Sequence, residues 1–170
     1  MFFHKKKLDK MDSLYSKLVL LSRKKYLYID FKIPDNLSSR IYIIFIYTSF
    51  ILINLKGKSE KAKILSQDIF DSMFKQIEIH LREIGMGDVS INKKMKKLIK
   101  LFYNILLKCE NFENIKETEI KVLFKELFYS NSEGLNAELS ALIHHINKFK
   151  FFAINLSLNN IEDGDINFEN

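Results

Sequence analysis

Between Ile41 and Leu55 the chain reads IYIIFIYTSFILINL, without one charged residue. Such a run has to be covered by something, and the element it adopts decides the fold class. Its β-branched and aromatic residues suit a strand, its unbroken length suits a helix, and its apolarity suits a membrane. As a helix it rises about 22 Å, short of the roughly 30 Å of bilayer hydrocarbon, and Tyr42, Tyr47, Thr48, Ser49 and Asn54 dilute it further. A buried central helix is the leading expectation, with a strand or a membrane-dipping segment as the alternatives.

The neighbouring stretch, Gln67 to Tyr103, is organised by helical periodicity. Ile69, Phe70, Met73, Phe74, Ile77, Leu81 and Ile84 recur on one side, while Asp68, Asp71, Lys75, Glu78 and Arg82 fall largely elsewhere. Gly85 follows the last apolar position, where a helix often ends in a left-handed residue, and Gly87 keeps the corner permissive. Asp88 or Ser90 is then placed to cap a second helix. In it Ile91, Met95, Leu98, Phe102 and Ile105 line one side, and Lys93, Lys96, Lys97 and Lys100 gather on the other, with Lys94 at the margin. A lysine face of this kind is either a solvated surface or one that meets anions.

These residues form a longer pattern: Phe70-Asp71-Ser72-Met73-Phe74, then Leu81-Arg82-Glu83-Ile84-Gly85-Met86-Gly87-Asp88, then Lys93, Lys96 and Lys97 ahead of Phe102-Tyr103. The pattern resembles the ubiquinol-cytochrome c chaperone family, bacterial and mitochondrial proteins that assist assembly of the cytochrome bc1 complex. Leu14-Tyr15, Tyr26 to Tyr28, Ile33-Pro34-Asp35 and Arg40-Ile41-Tyr42 look like the family's opening segment. The last third of the chain matches more loosely. Where the family often has glycine after the Phe-Tyr pair, this chain has Asn104, a residue that also tolerates a left-handed turn. The resemblance implies an all-helical fold and so decides for a buried helix at 41–55.

The rest of the chain fits one domain. With 170 residues and 47% hydrophobic content, it has enough material for one core. Residues 1–11 read as a basic N-terminal arm, 12–158 as an all-α, single-domain compact bundle of about six helices, and 159–170 as an acidic, partly mobile C-terminal tail. From Asp12, Leu14, Tyr15, Leu18 and Leu21 predict a first helix closed by Arg23-Lys24-Lys25. Tyr26 to Asn36 is a connector containing the sole proline, Pro34, and Ser38 or Ser39 is placed to cap the central helix. Ser59 can start the long helix through Ile84; Glu117 to Tyr129 and Leu135 to Phe149 predict two more, joined by loops at 110–116 and 130–134.

Chemistry is hard to find in this sequence. Cys109 is the only cysteine, so neither an internal disulfide nor a thiolate zinc cage can form, and it reads as a small apolar filler. His144 and His145 are adjacent and point about 100° apart on a helix, whereas a helical metal pair wants i and i+4. His4 and His80 have no local ligand partners. Neither metal nor cofactor is expected. Gly85-Met86-Gly87 follows no strand, so it is no dinucleotide loop, and an enzyme is not expected.

The resemblance implies an assembly chaperone for newly made cytochrome b, with the ribosome and a second small assembly factor as further partners. It places the protein in the cytoplasm, peripheral at the inner membrane, or on the matrix side in a mitochondrion. The formal charge of +6 is compatible with contact to an anionic membrane. The expected partner-binding residues are Arg82, Glu83, Gly85, Gly87, Asp88 and Tyr103 by resemblance, and Lys93, Lys96, Lys97 and Lys100 by charge clustering. The alternative is a helical binding module for an anionic membrane surface or ribosomal RNA, with no respiratory client and no role for DNA.

Overall fold

A computed structural model describes residues 2–112, 117–130 and 134–169. Its helices are α1 (Phe2–Ser22), α2 (Lys25–Ile29), α3 (Leu37–Leu55), α4 (Glu60–Glu83), α5 (Asp88–Glu110), α6 (Glu117–Phe128), α7 (Asn136–Ile154) and α8 (Leu158–Asp163). Among the described residues there is no strand. The expected bundle is there, its long helices joined by two short ones, α2 and α8. Parts of the expected loops at 110–116 and 130–134 lie outside the described residues.

The charge-free run is the axis of the fold. α3 packs against α1, α4, α5, α6 and α7, and every residue from Ile43 to Ile51 is buried. It is long and apolar enough to cross a membrane by composition alone, but its neighbours here supply the apolar cover. Its polar groups are mostly paired inside the protein. The Tyr47 hydroxyl meets His145 Nε2 at 2.8 Å, Ser49 Oγ donates to the Phe45 carbonyl, and Asn54 Nδ2 donates to the carbonyls of Ala153 and Leu156, each at 2.9 Å. Such pairing offsets the desolvation that a buried polar group would otherwise cost.

The caps differ in part from expectation. Ser59 caps α4 by accepting the Ala62 amide, as its position predicts. For α3 the cap is Asn36, whose side chain accepts the Ser39 amide at 2.9 Å, rather than Ser38 or Ser39. The chain is still extended at Asn36, which lets its short carbonyl reach back, while Ser39 is already buried in the first turn.

Buried residues continue past the expected bounds at 12 and 158. The helical backbone of α1 starts at Phe2, and Met11, one turn before Leu14, is only 4% exposed, so the buried stripe starts ahead of residue 12. Within the acidic C-terminal stretch Ile161, Ile166 and Phe168 are buried while Asp163, Asp165 and Glu169 stay in solvent. Phe168 lies 5.1 Å from Phe149 and 5.5 Å from His145, ring centre to ring centre. Ser157 caps α8 and left-handed Gly164, at φ 68°, ends it against α1, where a Cβ would stand 2.8 Å from the Leu14 nitrogen. A few apolar residues spaced through an acidic stretch are sufficient to dock it.

Candidate functional site

The α4–α5 corner is built as a clasp. Gly85 is left-handed, at φ 84°, just past the end of α4, the conformation glycine reaches without steric cost. Gly87 is ordinary extended backbone at φ −72° and precedes the first residue of α5. Neither Asp88 nor Ser90 caps that helix: no side chain bonds the first turn, and the Asp88 carboxylate instead accepts from Arg82. Arg82 also donates to Glu78 at 2.8 Å, one turn back. The guanidinium thus ties the end of α4 to the start of α5. With 51% of its side chain exposed, the arginine directs the corner more than it stabilises it.

α5 presents two unlike faces. Ile91, Leu98, Phe102, Ile105 and Cys109 face inward, chiefly onto α3. Phe102 sits 5.2 Å from Phe45 and 5.7 Å from both Phe70 and Phe74, so the aromatic pairs of the motif form one cluster. Tyr103 lies over Phe70 at 5.7 Å and remains 50% exposed. Asn104 lies inside an unbroken helix, so no left-handed turn follows the Phe-Tyr pair. On the outer face Lys93, Lys96, Lys97 and Lys100 are exposed, and none pairs with an acid among the described residues.

A third feature was not legible from the motif alone. An apolar groove of about 200 Å³ runs between α1, α3 and α4, walled by Tyr15, Val19, Ile41, Ile44, Ile77 and Leu81. Ile84, 62% exposed, and Leu37, 38% exposed, stand at its edge. Its polar lining is Ser22, Arg23, Arg40, His80 and Glu83. Arg40 is held by Asp35 at 2.7 Å and lies over the Tyr28 ring, whereas Arg23 and Glu83 have no ion-pair partner among the described residues. Tyr15 reaches the His80 Nδ1 at 3.5 Å, and burial pushes its hydroxyl up to about 12 although nearby Arg23 opposes the shift.

The expected site residues therefore divide three ways. Glu83 joins the groove, Arg82, Gly85, Gly87 and Asp88 form the corner, and Lys93, Lys96, Lys97, Lys100 and Tyr103 occupy the outer side of α5. Arg23, Tyr15 and His80 were missed as site residues. Their only signal in the sequence was position on helices whose packing partners could not be assigned.

The arrangement suits binding. No group of three or more histidines, cysteines, aspartates or glutamates placed to hold a metal exists among the described residues. His145 is buried among Tyr26, Phe31, Tyr47 and Phe168, while its neighbour His144 points to solvent. Burial pushes the Cys109 thiol up to about 12 despite a hydrogen bond with Ser49, so at neutral pH it is no thiolate nucleophile.

Comparison with known proteins agrees with this architecture. The crystal structure of the Cbp3 homolog from Brucella abortus superposes with a TM-score of 0.81 at 23% sequence identity, covering 99% of this chain and 94% of that one. No curated protein matches the sequence. Residues 29–161 match the family described as ubiquinol-cytochrome C chaperone, a span that includes α3, the corner and all of α5. The chain belongs to the ubiquinol-cytochrome c chaperone family.

Proposed function

We propose that the protein holds newly made cytochrome b during assembly of the ubiquinol-cytochrome c reductase (bc1) complex, without covalent chemistry. The observation that carries this reading is membership of the chaperone family across residues 29–161. The groove between α1, α3 and α4 supports it. Sites for whole small molecules run to about 300–1,000 Å³, whereas this one is about 200 Å³, a size suited to one or two large apolar side chains of a client. Each such anchor contributes about 1.5–3 kcal/mol, so two of them, at about 3–6 kcal/mol, give holding in the range of millimolar to tens of micromolar. That range allows release once haem and partner subunits compete for the same segment.

The protein would work at the inner membrane on the cytoplasmic side, or on the matrix side in a mitochondrion, where such a client emerges. A strain lacking the gene is expected to lose b-type haem from the bc1 complex while other membrane proteins stay constant. Unchanged b-type haem, read from reduced-minus-oxidised spectra, would count decisively against the reading. Leu37→Asp and Ile84→Asp, both at exposed positions, are expected to weaken client capture without moving the melting temperature.

A further inference from the structure

The outer side of α5 carries more than lysines. Val89, Lys93, Lys96, Lys100, Tyr103 and Leu107 follow one another at intervals of three or four residues and fall within an arc of about 80° on the helix. Val89 is 85% exposed, Leu107 60% and Tyr103 50%. The lysines are thus bracketed by apolar side chains that the fold leaves uncovered. The only acids of the helix, Asp88 and Glu110, are both engaged, by Arg82 and Lys56 respectively. Among the described residues no acid pairs with the lysines of the stripe, and Glu119 and Glu126 of α6 stay on its flank beside Asn104 and Lys108.

We propose that this stripe is a docking surface for an anionic phospholipid leaflet, with α5 lying in the plane of the interface. Charge complementarity calls for an anionic partner, and the bracketing residues select lipid. Phosphate groups of a nucleic acid leave Val89 and Leu107 as exposed as before, whereas a bilayer takes the lysine ammoniums at its headgroups and the aliphatic tips just below them. Tyrosine favours the same depth, with its ring in the acyl boundary and its hydroxyl among headgroups. Each lysine near such a leaflet is worth about fivefold in affinity, so the charge alone makes a weak, salt-sensitive contact that the apolar ends must reinforce.

The test is sedimentation of the full chain with vesicles of phosphatidylglycerol and phosphatidylcholine, beside vesicles of phosphatidylcholine alone. Binding to the first and not the second is expected. K93E/K96E/K100E should reduce it by roughly 100-fold. V89S/L107S should reduce it about tenfold in physiological salt, where electrostatics alone is weak. Thermal melts of both variants establish that they are folded. An absence of binding to anionic vesicles overturns the proposal, and so does binding indifferent to V89S/L107S, which would mark charge-only adhesion. An RNA hairpin bound through the same lysines in preference to vesicles overturns it too. The assay contains no cytochrome b, so its outcome is independent of the client reading.

Discussion

α3 and α5 pack along each other, yet they use their side chains in opposite ways. α3 is covered by five neighbouring helices, and its composition is explained once its burial is known. α5 spends only its inner half on the fold and leaves outside Val89, Tyr103, Leu107 and a row of lysines with no acidic partner among the described residues. Where the fold buries every residue of a segment, as it does from Phe45 to Ile51 beyond the groove, that segment says little about partners. Where half of a helix is unaccounted for, the remainder is the place to look for function.

This contrast predicts unequal costs. Phe102→Ala empties a fully buried position against Phe45, Phe70 and Phe74 and should destabilise by about 3–5 kcal/mol in urea unfolding. K93E/K96E/K97E/K100E, on the same helix, should move the unfolding midpoint hardly at all, as surface substitutions usually do. Comparable losses from the two would break the contrast.

High pH offers a second handle on the α3–α5 seam. Burial raises the Cys109 thiol from 9.0 to about 12, so the folded state favours its neutral form. That contribution is whole below pH 9.0 and is lost between 9.0 and about 12 as the unfolded chain, but not the folded one, releases the proton. Stability should fall across that window, less steeply in Cys109→Ala, and a native chain should resist thiol reagents at pH 8. Rapid labelling of the folded protein would contradict the burial.

Smaller effects sharpen the picture of α3 and the glycine turns. Gly164→Ala meets both a left-handed backbone and the Leu14 nitrogen and should cost about 2–3 kcal/mol. At Gly85, where the left-handed φ is the only obstacle and nothing lies within 4 Å, the same change should cost about 1 kcal/mol. Thr48 is fully buried with its hydroxyl unpartnered among the described residues, so Thr48→Val should raise stability by about 1 kcal/mol. Thermal melts rank all three, and a destabilising Thr48→Val would show that the hydroxyl does find a partner.

Much of this was readable before any coordinates. Periodicity placed α4 and α5 and separated Phe102 from Lys100, because a 3.6-residue repeat encodes which side is buried. The resemblance, more than propensity, decided the helix at Ile41 to Leu55. Pairing between distant segments was not readable: Asp88 looked like a cap until Arg82 was found beside it, and Ile161, Ile166 and Phe168 were hidden in an acidic run too short to show a period. The groove was invisible for the same reason. It exists only because α1, α3 and α4 meet, and Arg23 reaches the side chains near Glu83 from sixty residues away in the chain.

The most direct measurement is quantitative capture from membranes of the native host, gently solubilised, with the tagged wild-type chain beside L37D/I84D. The account predicts that cytochrome b is enriched over other abundant membrane proteins and that the groove variant, still folded, loses most of that enrichment. Recovery of cytochrome b at background level with the wild-type chain would contradict it.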